Sequence, residues 1–275
     1  MKKTPDLLSY IGEDGAIRDE LADSWGISDL RFYNTIASTQ KIARTLADAG
    51  APSWTLIVAD HQTEGRGRDG RSWLSQPGSS VMFSIVIRPD RPEALSLLPV
   101  RIGLILARTL DDLLITRGAP KEDAPFIRLK WPNDLIIEEG KIGGILVEGV
   151  SRGAEQSIVI GVGINVFRLI NIPDDPHALP LRFLDEYLPE STNRLHVLER
   201  LVTALREQLR TVPEDLMPKE IEEYARRDWL QGKKLVEPQR GFAVGINRKG
   251  YLLLENVDEE IEAIRSGSVR VEERG

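Results

Sequence analysis

Arg66, Arg68 and Arg71 alternate with Gly65, Gly67 and Gly70 in the stretch EGRGRDGRSWLSQPGSS (64–80), inside a chain of formal net charge −7. Glycines let a backbone approach a ligand closely, and guanidinium forks match carboxylate and phosphate oxygens. The segment therefore has the chemistry of a clamp for a phosphate-bearing ligand. Three other readings compete. Gly65, Gly67 and Gly70 match G-x-G-x-x-G literally, with Asp90 about 20 positions on. A dinucleotide fingerprint, however, needs its last glycine to open a helix, and RSWLSQPGSSVMF runs through Pro77 into a strand. An Arg/Gly segment for RNA or single-stranded DNA would stack a base on Trp73, yet no basic face supports it in a chain of pI near 5.2. The plainest alternative is a solvated surface loop.

KWPND (130–134) reads as a turn after a strand, with Pro132 fixing φ and Asn133 and Asp134 supplying turn chemistry. Both residues then stand just beyond a strand end, where sheet proteins bind ligands, and Lys130 adds a cation. Lys141 leaves the EEGK turn and precedes Gly143 and Gly144, so it is either a solvated turn lysine or a lone cation beside bare backbone. His61, His177 and His196 have no metal-ligand spacing, and no protein metal site is expected. The sequence holds no P-loop, G-x-S-x-G elbow or H-E-x-x-H.

The elements that must position these residues are legible from periodicity. The chain has 275 residues, 41% hydrophobic and 29% charged, enough for one large core and a small extra module. It has no cysteine, which removes disulfides, thiolate zinc sites and cysteine nucleophiles. No apolar run approaches the roughly 20 residues of a membrane helix and no signal peptide is evident, so a cytoplasmic location is expected. STQKIARTLADAG (38–50) predicts a short helix, WTLIVAD (54–60) and VMFSIVIRP (81–89) two strands joined by the arginine loop, and 97–117 a long amphipathic helix. SIVIGVGINV (157–166) is apolar on both faces, as a central strand would be. Residues 167–192 read as a loop, Leu195 to Leu209 as a helix, and PEDLMPKEIEEYARRDWL as one more. After Leu230 short β runs separated by Gly and Asn turns form a module too small to be stable alone, so it should dock on the larger domain.

GRGRDGRSW (65–73), KWPND (130–134), KIGGILVE (141–148) and GVGINV (161–166), in this order after an STQ helix start (38–40), resemble the biotin–protein ligases over roughly residues 30–275. The resemblance implies an α+β fold in two domains. Residues 1–230 would form a catalytic domain, a mixed β-sheet flanked by helices similar to the lipoate ligases, and 231–275 a small SH3-like β-barrel. It also implies an ATP-dependent, AMP-forming enzyme. Biotin's carboxylate attacks the α-phosphate of ATP to give biotinyl-5′-AMP and pyrophosphate, and a lysine of a biotin carboxyl carrier protein then displaces AMP.

By the same resemblance Ser38, Thr39, Gln40 and Gln62 hold biotin, with Arg66, Gly67, Arg68, Lys141 and Gly144 closing around its carboxylate end. Arg68, Arg71, Trp73, Asn133, Asp134 and Asn165 would serve the nucleotide, Trp73 near the adenine, with catalytic roles for Lys141 and Arg68. Mg²⁺ would arrive with ATP, held mainly by phosphates. Three departures stand out: Asp69 where many relatives carry a basic residue, Gln40 for a common Asn, and Ser72 for a common Lys. Some family members carry an N-terminal winged helix of about 60 residues or more. Only some 37 residues precede Ser38, so a ligase without a repressor domain is expected. Two rivals are kept: a ligase for lipoate or another carboxylic acid, and a nucleic-acid-binding regulator. The acidic pI speaks against the second, so neither nucleic acid nor membrane is an expected partner, and a homodimer is compatible with the sequence.

Overall fold

The computed structural model describes residues 15–88, 97–116, 126–152, 155–172, 178–188, 193–211 and 213–272. Asp90 of the fingerprint match and His177 lie outside them. In chain order the elements are α1 (Gly15–Trp25), β1 (Asp29–Ile36), α2 (Thr39–Asp48), β2 (Thr55–Gln62), β3 (Ser80–Ile87), α3 (Leu98–Thr116), β4 (Arg128–Lys130), β5 (Asp134–Ile137), β6 (Gly140–Arg152) and β7 (Glu155–Asn165). Then follow α4 (Arg194–Gln208), α5 (Pro218–Arg227), β8 (Lys234–Glu237), β9 (Gly241–Ile246), β10 (Leu252–Glu255), β11 (Ile261–Ile264) and β12 (Arg270–Val271).

Seven strands form one sheet in the order β1-β2-β3-β7-β6-β5-β4, with β1 parallel to β2 and every other pair antiparallel. This is the expected mixed sheet, and β7 lies at its centre. Strand side chains alternate between faces. On one face Leu56, Val58, Phe83, Ile85, Ile160 and Val162 join the main core with α3 and α4. On the other, Ile57, Val86 and Val159 pack against Ala43 and Ala47 of α2. That helix is short and covers only part of its face. Beyond it the same face continues as Ser84 on β3 and as Gly161 and Gly163 on β7, where small residues leave space.

The segment 167–192, read from sequence as loop, holds a 3₁₀ turn at Leu184–Glu186 and a parallel bridge from Leu181 to Lys141. Five C-terminal strands make a second, antiparallel sheet in the order β11-β10-β9-β8-β12. Among the described residues β11 and β12 are not paired, so this module is an open sheet rather than a closed ring of hydrogen bonds. Its Leu235, Ala243, Leu252 and Leu254 belong to the main apolar cluster, and Trp131 Nε1 donates to the Gly250 carbonyl at 2.9 Å. Docking supplies the burial that so small a sheet lacks by itself. No helix among the described residues is long and apolar enough to cross a membrane.

Asp228, buried where α5 leads into β8, accepts from the Leu230 amide at 2.9 Å. Burial pushes its carboxyl up to about 6, against the opposing pull of that amide and of Arg128 and Lys233. A raised acid holds its proton in the folded state at pH values where the unfolded chain has lost it, so its contribution falls as pH rises through about 4 to 6. Asp228→Asn should therefore gain stability over the parent across that window, by about 3 kcal/mol at neutral pH given about 1.4 kcal/mol per unit. Urea midpoints at several pH values check this. A parent-to-variant difference that does not change with pH would refute it.

Candidate active site

The uncovered face opens as a cleft with about 930 Å³ of empty space, its mouth and open solvent included. Its walls are the start of α2, the loop after β2, the 130–134 turn, the facing parts of β6 and β7, and Gly267 to Val269 in the segment between β11 and β12. Arg66, Arg68, Arg71, Lys130 and Lys141 line it against only two carboxylates, Asp69 and Asp134. The cleft is thus cationic within an acidic chain, as anion binding requires.

The closed end is polar and connected. Gln62 Oε1 accepts from the Thr39 amide at 2.7 Å and from Thr39 Oγ1 at 3.1 Å, while Gln62 Nε2 reaches Met82 Sδ at 3.2 Å. Ser84 Oγ lies 2.9 Å from Thr39 Oγ1 and 3.0 Å from Gln40 Oε1. Ser38 is 1% exposed and its hydroxyl has no partner among the described residues, which leaves it available to a ligand. Gly161 lies opposite Ser84, and a Cβ there would come within 2.5 Å of Gln40 Oε1 and displace that carboxamide.

The cationic end is built differently. Lys141 starts β6, where its amide donates to Pro180 O at 2.8 Å and its carbonyl accepts from the Arg182 amide at 2.8 Å. Its Nζ pairs with Asp134 Oδ1 at 2.6 Å, so of the two readings the turn sequence allowed, a solvated turn lysine or a lone cation, the second does not hold. The register of β5 on β6 places Asp134 opposite Gly144, beside that lysine. Lys130 is pushed below the usual lysine range by burial first and then by Lys141 and Arg71, with Asp134 opposing.

Two expected nucleotide contacts are engaged in the protein itself. Asn133 Nδ2 donates to Ile145 O at 2.8 Å and ties the turn to β6. Asn165 does not line the cleft; it is buried at the end of β7, and its Nδ2 lies 3.4 Å from Lys141 O. Trp73 does line it. Its ring lies on the paired glycines Gly144 and Gly163, where an added Cβ would meet it at 3.3 and 2.6 Å, and Lys141 Nζ stands 5.8 Å from its centroid.

The arginine loop folds back on itself. Arg66 bridges Ser72, the Trp73 amide donates to Gly65 O at 2.9 Å, and the Gly67 amide to Arg71 O at 2.8 Å. Asp69 (φ 54) and Gly70 (φ 74) turn the tip in the left-handed region that Asp tolerates and Gly favours. Extended backbone follows, Arg71 having ψ 148, and no helix opens there, which removes the dinucleotide fingerprint. Arg71 Nη2 donates to Ser268 Oγ at 3.1 Å, and that hydroxyl donates to Asp69 Oδ2 at 2.8 Å. Arg66 and Arg68 make no side-chain hydrogen bond or ion pair to a described residue.

Residues 32–165 match the model of the biotin/lipoate A/B protein ligase family. The chain is 32% identical over 249 residues to the bifunctional ligase/repressor BirA of Bacillus subtilis, an alignment covering 88% of this chain and 74% of that protein. The chain belongs to the biotin–protein ligase family. A biotin–[acetyl-CoA-carboxylase] ligase of Mycobacterium tuberculosis is 30% identical over 70% of this chain and 69% of its own length. A biotin protein ligase of Aquifex aeolicus, solved in complex with biotin and ATP, superposes with TM-score 0.72 at 28% identity, over 90% of this chain and all of that one.

Of the site residues expected for such a ligase, Ser38, Thr39, Gln40, Gln62, Arg66, Gly67, Arg68, Arg71, Trp73, Asn133, Asp134, Lys141 and Gly144 all line one cleft, and Asn165 alone does not. Sequence reading missed Ser84, Gly161 and Gly163, which sit in apolar strand runs. The available signal was small residues at alternate positions, GVG on β7 and Ser within VMFSIVI on β3. It also missed Ser268, about 200 residues from the loop it binds, for which no local signal exists. Gly163→Ala should displace the Trp73 indole, since a Cβ would overlap its ring at 2.6 Å. In a ¹H–¹⁵N spectrum the Trp73 Nε1 resonance should move while those of the core residues Trp25 and Trp131 stay. An unmoved Trp73 signal would contradict this packing.

Proposed function

We propose that this ligase joins biotin and ATP in the cleft as biotinyl-5′-AMP and passes the biotinyl group to a lysine of a biotin carboxyl carrier protein. One observation carries the reading. A polar closed end able to hold a neutral heterocycle, and a cationic mouth able to hold two anions, are parts of the same cleft. The biotin ring would lie against Ser38, Thr39, Gln40 and Gln62, with its carboxylate toward Lys141, Gly144, Gly67 and the loop arginines Arg66 and Arg68. The α-phosphate would meet Arg68, Arg71 and Lys141. Trp73 would flank the adenine, and Asn133, Asp134 and Asn165 would shape the nucleotide end.

In the first step a carboxylate oxygen bonds to the α-phosphorus, the bond to the bridging oxygen breaks, and pyrophosphate carries the electron pair away. Both reactants are anions and the transition state gathers charge on the α-phosphate oxygens, so fixed cations contribute most there. Lys141 is held at its backbone from both sides and at its Nζ by Asp134, so little reorganisation is needed. In the second step a neutral carrier lysine attacks the acyl carbon, AMP leaves, and the amine loses a proton. Among the described residues no three His, Asp or Glu side chains converge as a metal cage. Mg²⁺ would therefore enter on the triphosphate, near the cleft carboxylates Asp134 and Asp69.

Lys141→Ala should fold normally and lower biotin-dependent exchange of pyrophosphate into ATP by about 10²–10³, the usual loss for one transition-state donor. Near-normal exchange would remove Lys141 from the chemistry. Biotin with ATP should also slow tryptic cleavage within 66–71 far more than ATP alone, because bound oxygens would satisfy the unpartnered Arg66 and Arg68. Cleavage indifferent to ligand would show that the loop is not a clamp. Lipoate replacing biotin in either assay would favour the rival ligase reading.

A further inference from the structure

Gln40 is almost fully buried, and both hydrogens of its amide nitrogen point to acceptors. Nε2 donates to Glu148 Oε2 at 2.8 Å and approaches Val159 O at 3.4 Å. Glu148 stands outside the cleft, and Arg44, one helical turn beyond Gln40 on α2, donates to its other oxygen at 2.8 Å. A carboxylate only accepts, so it holds the amide nitrogen toward itself and turns Oε1 toward Ser84. The polarity then runs inward. The Ser84 hydroxyl faces only oxygens that can accept, Gln40 Oε1 and Thr39 Oγ1, while Thr39 gives its own proton to Gln62 Oε1.

We propose that Glu148, with Arg44 as its counter-charge, is a positioning residue that fixes the Gln40 amide orientation and so leaves the closed end rich in acceptors, selecting a ring that carries N–H donors. This rests on the biotin reading above, whose cyclic urea has two such donors where the dithiolane of lipoate has none. A reversed Gln40 amide would aim N–H groups at Ser84 and turn its proton toward the ligand. The site would then lose much of its preference without losing volume.

The test is calorimetric titration of biotin and of lipoate into the 275-residue chain, its Glu148→Gln variant, and the double variant Gln40→Glu/Glu148→Gln. In Glu148→Gln the neighbouring amide can donate or accept, so Gln40 can turn over. Biotin affinity should fall about tenfold, as when a buried donor and acceptor are mismatched. Preference over lipoate should narrow, KM for biotin should rise, and kcat at saturation should hold, because Glu148 is remote from Lys141. The double variant exchanges the amide and the carboxylate and restores an acceptor facing Ser84, so biotin affinity should recover. A purely structural role predicts no such recovery, and its absence overturns the proposal. Biotin affinity of Glu148→Gln within twofold of the parent also overturns it, while leaving the substrate reading intact. Failure of the unaltered protein to bind biotin overturns both.

Discussion

The site exists because two central strands lack side chains where it lies. Gly144 on β6 and Gly161 and Gly163 on β7 strip one face of the sheet at the N-terminal start of α2, and everything else is fitted to that bare surface. The Gln40 carboxamide occupies the space over Gly161, and the Trp73 indole lies on Gly144 and Gly163. Replacing any of these glycines forces a neighbour to move, because a Cβ would fall within 3.3 Å of an aromatic ring or an amide oxygen. The opposite face of the same strands carries the main core, so the floor of the cleft is held rigid from behind.

Rigidity beneath contrasts with the rim. The arginine loop has backbone bonds across its own neck and a left-handed tip, but among the described residues the side-chain hydrogen bonds of its tip to the rest of the protein run through one hydroxyl, Ser268. Asp69 looks from sequence like a loss of positive charge in the clamp. In the fold it accepts from Ser268 while Arg71 donates to the same oxygen, so the acidic residue holds the loop to the C-terminal sheet. Exposed hydrogen bonds of this kind contribute only about 1 kcal/mol each, so the tip is held far more weakly than the floor beneath it.

Periodicity made the elements legible because each long strand and helix buries a complete face. SIVIGVGINV could only be central, and the heptad-like leucines between 97 and 117 could only be a packed helix. The loop, the 130–134 turn and Lys141 were legible because their residue types do chemistry wherever the fold places them. What stayed hidden depended on pairing between distant segments. The Lys141–Asp134 ion pair, the Asn165 contact to the Lys141 backbone, and the backbone bonds linking Pro180 and Arg182 to Lys141 all arise from pairing register, which one strand's sequence does not encode.

Charge placement ties these parts together. The chain carries a net −7, yet five cations and two carboxylates line the cleft, so outside it the surface repels anions while the cleft attracts them. Low-dielectric walls and a cationic interior focus the field on one opening. Crowding cations has its own cost, visible in Lys130, whose proton is held less tightly because burial and the charges of Lys141 and Arg71 disfavour it. Asp134 relieves that crowding by pairing with Lys141. The same pair also fixes the lysine Nζ, so the cation that stands beside Trp73 is held at both its backbone and its charged end.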